Sequence, residues 1–162
     1  MLVVSDTSPL NYLVLIGCIE ILPQLHRRVL IPSAVRRELL SGAAPKEVRT
    51  WAVNLPDWAE EMDPPSDFLN DPQLSALHDG ERAALALAAS RQPIFLLMDE
   101  WPARNIAIRK GLLVTGTLGI LDQAGRRGLI QFAEAIDKLK LTSFRYPKAL
   151  VDRLLAEHCS RI

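Results

Sequence analysis

Four carboxylates fall where backbone elements change direction: Asp6 after Leu2-Val3-Val4-Ser5, Glu38 within Ala34 to Leu40, Glu81 in Asp79-Gly80-Glu81-Arg82, and Asp99 after Ile94-Phe95-Leu96-Leu97-Met98. If folding gathers them, two unit charges at ~4 Å repel by roughly 4 kcal/mol at an effective dielectric near 20, so a cluster needs a cation or protonation. His26, His78 and His158 are scattered, and Cys18 and Cys159 lie in no Cys-x-x-Cys pattern, which disfavours a thiolate zinc site. An all-oxygen set suits a hard ion such as Mg2+ or Mn2+. Such an ion makes water more acidic and offsets charge on a phosphoryl oxygen, so the chemistry implied is phosphodiester hydrolysis. Ser8, close to Asp6, and Thr117 in Gly116-Thr117-Leu118-Gly119 offer hydroxyls to orient the acids, and both equally suit helix caps.

Each acid also has a structural reading. Asp6 and Asp99 stand between an expected strand and an expected helix, where Asp is a favoured cap, and Glu81 falls in a first helical turn, where the helix dipole favours it. Glu38 beside Arg36 and Arg37 suits a solvated face. Taken jointly, the acids point to the crevice at the carboxyl ends of a parallel sheet, where distant residues meet.

The elements that would position them alternate between strand and helix. The apolar run Leu2 to Ser5 reads as a buried strand, Val29 to Ile31, Ile94 to Met98 and Leu112 to Thr115 as further strands, and Trp58 to Met62 as an edge strand. Ser8-Pro9 reads as a cap and first-turn proline for a helix carrying Leu10, Leu13, Val14 and Ile16 and stopping at Gly17. Further helices are expected over Ile19 to Leu25, from Pro32-Ser33 to Gly42, and over Pro45 to Ala52, Asp79 to Ala89, Pro102 to Lys110 and Leu118 to Arg127. Asp63 to Gln73, polar and proline-bearing, reads as a loop. From Gly128 onward the pattern is helical, over Ile130 to Leu139 and Pro147 to His158. This rhythm predicts an α/β fold of three layers, α/β/α, around a central parallel sheet of four or five strands. No internal repeat or linker interrupts it, so residues 1–162 are expected to form one domain, with a helical region from about 128.

The 162 residues carry 19 basic and 19 acidic side chains, for a formal charge of zero. No bulk basic field exists, and a polyanion would have to be held by a local patch. Asp6, Pro9 and Asn11 interrupt the apolar N-terminal run, arguing against a signal peptide or a membrane span, and the isolated cysteines suit a reducing, cytoplasmic setting.

The motifs around these acids resemble those of the PIN-domain proteins, more narrowly the VapC-like subgroup with the DUF3368 type of domain. The likeness is carried by Val4-Ser5-Asp6-Thr7-Ser8-Pro9-Leu10, Ile31-Pro32 with Val35-Arg36-Arg37-Glu38-Leu39, Gly80-Glu81-Arg82-Ala83-Ala84, Met98-Asp99-Glu100 with Arg104, and Gly116-Thr117-Leu118-Gly119. The resemblance implies a PIN-like fold, a Mg2+- or Mn2+-dependent ribonuclease site, and the role of toxin in a toxin and antitoxin pair. It makes Asp6, Glu38, Glu81 and Asp99 the catalytic and metal-binding carboxylates, with Glu100 behind them as a further ligand or an outer base. A small antitoxin protein is the partner it implies.

RNA, as substrate, requires cations and stacking surfaces beside the acids. Arg104 heads the candidates because its helix begins just after Asp99, ahead of Arg36, Arg37, Arg82, Arg109, Lys110 and the Arg126-Arg127 pair. Trp101 is placed to stack a base, or equally to pack in a core or an interface. Apolar helical faces at Leu10 to Ile16 or in the C-terminal region suit a homodimer. Two other functions compete: a catalytically idle PIN-like binding module, and a phosphatase or phosphoryl-accepting domain. The last is disfavoured because Asp6-Thr7-Ser8 lacks the second Asp of an Asp-x-Asp motif.

Overall fold

A computed structural model describes residues 1–92 and 94–161. Five strands, β1 (Leu2–Ser5), β2 (Arg28–Ile31), β3 (Ala59–Glu61), β4 (Phe95–Leu97) and β5 (Leu113–Thr115), form one sheet in the order β3-β2-β1-β4-β5, with every pairing parallel. Val3 and Val4 point to opposite faces of β1 and both are fully buried, so the central strand is covered on both sides. That requirement explains why its sequence is a continuous apolar run. The result is a three-layer α/β/α fold, with five strands where the sequence allowed four or five.

The helices follow the expected alternation: α1 (Thr7–Leu15), α2 (Ile21–Leu25), α3 (Ser33–Leu40), α4 (Lys46–Val53), α5 (Ser66–Leu69), α6 (Asp79–Ser90), α7 (Trp101–Arg109), α8 (Thr117–Arg126), α9 (Phe132–Lys140) and α10 (Lys148–Cys159). Helix α6 lies against β1 and β4, with α7 beside it, and α1 touches α3, α4 and α8. From Ala83 to Ala88 every residue of α6 is buried, and its alanines let the helix approach the sheet closely. The C-terminal pair α9 and α10 packs on α8. Gly17, at φ 72°, takes the left-handed conformation just past the end of α1, which glycine adopts without steric cost.

Two local expectations are overturned. Asp63 to Gln73 is no plain loop: α5 and a 3-10 turn at Pro72–Leu74 fold it onto the body. Asp71 caps that turn by accepting from the Gln73 amide at 2.9 Å and pairs with Lys110 at 2.5 Å, while Leu74 is buried to 1% exposure. Ser8 is not the cap of α1, because the helix already begins at Thr7 and Asp6 holds the cap position.

The strand order locates the crevice. From β1 the chain moves through β2 to β3 on one side, then returns through α6 to lay β4 on the other side of β1. Topology reverses between β1 and β4, the point at which folds of this kind bind ligands.

Candidate functional site

Asp6 and Asp99 leave the sheet at that reversal. Ser5 pairs with Leu97 in register, and the Asp6 amide donates to the Leu97 carbonyl at 2.9 Å, so the two chains run side by side as they emerge. Asp6 is 3% exposed, and its Oδ1 is buried with no hydrogen-bond partner. Its carboxyl is pushed up to about 7, above all by burial and further by the charges of Glu38, Glu81 and Asp99; the nearby Thr7 amide opposes the rise. All four predicted carboxylates therefore share one electrostatic neighbourhood.

The other three acids are anchored. The Asp99 carboxylate lies across the N-terminus of α8, where Oδ1 accepts from the Thr117 amide at 2.7 Å and Oδ2 from the Thr117 hydroxyl at 2.7 Å. The Ser8 hydroxyl donates to the same Oδ2 at 2.8 Å. Ser8 and Thr117, each ambiguous between cap and site residue in sequence, both grip Asp99. Glu38 accepts from the Thr7 hydroxyl and from the Gly80 amide at 3.2 Å, which places it between the first turns of α1 and α6. Glu81 Oε2 accepts from the His78 amide at 3.3 Å and completes a capping box for α6. Three helix N-termini thus face the acids, each bringing partial positive charge.

Two glycines make this approach possible. A Cβ on Gly80 would stand 2.6 Å from Glu38 Oε1, and one on Gly116 would stand 2.7 Å from Asp99 Oδ1 and 2.8 Å from Arg104 Nη1. Sequence reasoning placed both glycines in motifs without assigning them this role; the usable signal was a small residue at a helix start opposite an expected acid.

The remaining candidates divide. Arg104 is half-buried near Asp99 and donates to the Met98 carbonyl at 2.9 Å. Trp101 is 65% exposed, so the core alternative for it fails. Glu100 is exposed at the start of α7 and is not among the charges acting on Asp6. Arg36 is spent on the Ala52 and Val53 carbonyls and Glu61, Arg82 on Asp79, Lys110 on Asp71, and Arg126 on Asp122 and Glu157. Missed altogether was a cavity of about 710 Å3 beside Asp99, bordered by Tyr12, Asp122, Phe144 and Arg145. Its walls come from α1, α7, α8, α10 and the loop before α10, elements with no sequence motif in common.

Among the described residues, no three His, Cys, Asp or Glu side chains are drawn close enough together to ligate a metal ion. The donor chemistry still suits a hard cation: the acids are oxygen donors, and Asp6 has a buried oxygen with nothing to neutralise it.

The family model for the DUF3368 type of domain, described as a PIN domain, matches residues 2–160. The chain belongs to the PIN-domain family. No curated protein and no solved structure gives a significant match. PIN domains have a nuclease-type fold and as a group generally hydrolyse nucleic acids, usually with divalent metals. No helix among the described residues is long and apolar enough to cross a membrane.

Proposed function

We propose that this PIN domain is a Mg2+- or Mn2+-dependent endoribonuclease that hydrolyses RNA phosphodiester bonds and serves as the toxin of a toxin and antitoxin pair. The observation that carries the reading is Asp6: a carboxylate buried beside three other acids, with an orphan oxygen, is unfavourable in the metal-free protein and suits a site built for a cation. Asp6 and Asp99 would hold the ion, with Glu38 and Glu81 completing the acidic wall; when bound, it supplies an acidified water and offsets charge on the phosphoryl group.

The chain's own residues do the positioning. Ser8 and Thr117 fix both oxygens of Asp99, so its orientation is set before any ligand arrives. Thr7 and Gly80 restrain Glu38 in the same way. Arg104 offers a guanidinium to an RNA phosphate at the edge of the acids, easing the repulsion a polyanion meets there. Glu100, next to Asp99 at the start of α7, would act as an outer base.

Incubation of the purified protein with single-stranded RNA and Mn2+ tests the reading. Cleavage should occur, and Asp6→Asn or Asp99→Asn should abolish it with the fold retained. Cleavage that survives both substitutions rejects the assignment.

One observation favours a second reading, a catalytically idle binding module. Glu38, Glu81 and Asp99 already accept protein hydrogen bonds, as structural caps would. Calorimetric titration separates the two, since an idle module binds no Mn2+ at millimolar concentration.

The antitoxin is a small protein presenting basic groups to the acidic crevice, by charge complementarity. A cytoplasmic setting suits the free Cys18 and Cys159. The face of α1 expected to pair with a second copy is spent on the core, where Leu10, Leu13 and Ile16 are buried, so a homodimer would instead cover apolar surface such as Ile108 and Leu113, which are 52% and 50% exposed. Co-purification from native cells tests both associations; elution alone as a monomer contradicts them.

A further inference from the structure

The cavity beside Asp99 has a composition that the acid cluster does not explain. At about 710 Å3 it falls within the ~300–1,000 Å3 range of small-molecule sites. Asp99, alone of the four acids, lines it together with Ser8, so the cavity borders the acid cluster at Asp99. Leu118, Leu150, Leu154 and Phe144 make an apolar wall, and Tyr12 packs edge-on against Phe144 with ring centroids 5.0 Å apart. Arg104 and Arg145 supply positive charge, and Trp101 supplies an exposed aromatic face.

One polar group in that lining is fixed from behind. Asp122 Oδ1 bonds His158 Nε2 at 2.8 Å, and both carboxylate oxygens accept from Arg126 Nε at 2.9 Å. His158 in turn stacks on Phe132 at 4.1 Å, in space left by the missing side chain of Gly125. Burial raises the Asp122 carboxyl, but Arg126 and His158 outweigh it and hold the group below its ordinary value. Asp122 is therefore an ionised, oriented acceptor, and Oδ2 retains a free lone pair.

We propose that this cavity receives one unstacked base of single-stranded RNA next to the phosphodiester at the acids, and that Asp122 selects bases bearing an exocyclic amino group. Splayed bases are read by stacking and by hydrogen bonds to their edges. Trp101 and the apolar wall give stacking that any base satisfies, and the two arginines engage phosphate. Asp122 adds the discrimination: an amino group donates to it, whereas the O4 carbonyl of uracil meets a second acceptor. The proposal rests on the RNA-cleaving reading but deepens it with a base preference.

Cytidine and uridine 5′-monophosphate are near-isosteric and differ at this amino group, so they make the test. Binding is followed in EDTA by quenching of Trp101 fluorescence, with Trp101→Phe to remove the signal. Cytidine monophosphate should bind about tenfold more tightly than uridine monophosphate, as one well-placed polar contact discriminates. Asp122→Asn should erase or reverse that ratio. Because this change also touches Arg126 and His158, a second variant is needed: Arg145→Glu, on an exposed residue, should weaken both nucleotides to a similar degree and leave the ratio intact.

Equal binding of the two nucleotides, no binding at millimolar concentration, or binding indifferent to both substitutions overturns the proposal. These outcomes are distinct from failure of the nuclease reading. Nucleotide discrimination by a protein that cuts no RNA with Mn2+ sinks the latter alone, and RNA cleavage without nucleotide discrimination sinks only the base pocket.

Discussion

Asp6→Asn should stabilise the metal-free protein while abolishing its activity. The Asp6 carboxyl moves from 3.8 to about 7 on folding, a gap of roughly three units, which at 1.36 kcal/mol per unit makes the buried charge cost up to about 4 kcal/mol at alkaline pH. The sign follows from proton binding. Between about pH 4 and 7 the folded state holds a proton on Asp6 that the unfolded state has lost, so this group's contribution to stability falls as pH rises through that window and is level beyond it. Asparagine removes the charge, but an amide where Oδ1 lacks a partner costs about 1–3 kcal/mol, leaving a net gain near 1–3 kcal/mol at pH 8. For a chain of this size that corresponds to a melting shift of roughly 2–12 °C. Thermal melts by circular dichroism in EDTA at pH 5 and pH 8 measure it. The variant should melt higher than the parent at pH 8, and its advantage should vanish or reverse at pH 5. A variant that melts lower at pH 8, with the gap unchanged at pH 5, refutes the reasoning.

Gly80→Ala puts a methyl group 2.6 Å from Glu38 Oε1, so cleavage should fall by about tenfold or more, read in the same RNA assay, because displaced acids cost transition-state stabilisation. Thr117→Val removes the hydroxyl bond to Asp99 Oδ2 and should lower stability by about 1–2 kcal/mol in urea unfolding. His26→Leu should stabilise the protein, most clearly at pH 5 to 6: His26 is 5% exposed, both ring nitrogens lack partners, and burial first, then the N-terminal amine and Arg127, depress its pKa, so folded-state stability is lost as pH falls through the ordinary imidazole range. A histidine that contributes stability at pH 5.5 would contradict that assignment.

The parts of the fold legible in sequence are those whose burial demands continuous apolar runs. Leu2 to Ser5 and Ile94 to Met98 read as strands from their apolar runs, and α6 announces itself through alanine and leucine. The α5 segment was illegible because its order comes from distant partners: Lys110 holds Asp71, and Leu74 fills a hole in the core. At the site, the acids stood out as charges at strand and helix junctions, and the strand order then brought Asp6 and Asp99 together. What could not be read was the use of each group. Ser8 looks like a cap because Ser-Pro commonly is one, yet its hydroxyl is taken by an acid 91 positions later. Gly116 stands in a motif with no role of its own in sequence, yet it is the gap into which Asp99 and Arg104 fit. The Asp122 cavity depends on α10 and the loop before it meeting α8, a packing outcome without local sequence signal.

At the centre of the site the Asp6 carboxyl is kept buried, with an orphan Oδ1, for a divalent cation. Diffraction from crystals soaked in Mn2+, collected at a wavelength where manganese scatters anomalously, tests it most directly. The account predicts a peak within coordinating distance of Asp6 and Asp99, absent in Asp6→Asn; a difference map with no peak there, or one unchanged by the substitution, contradicts it.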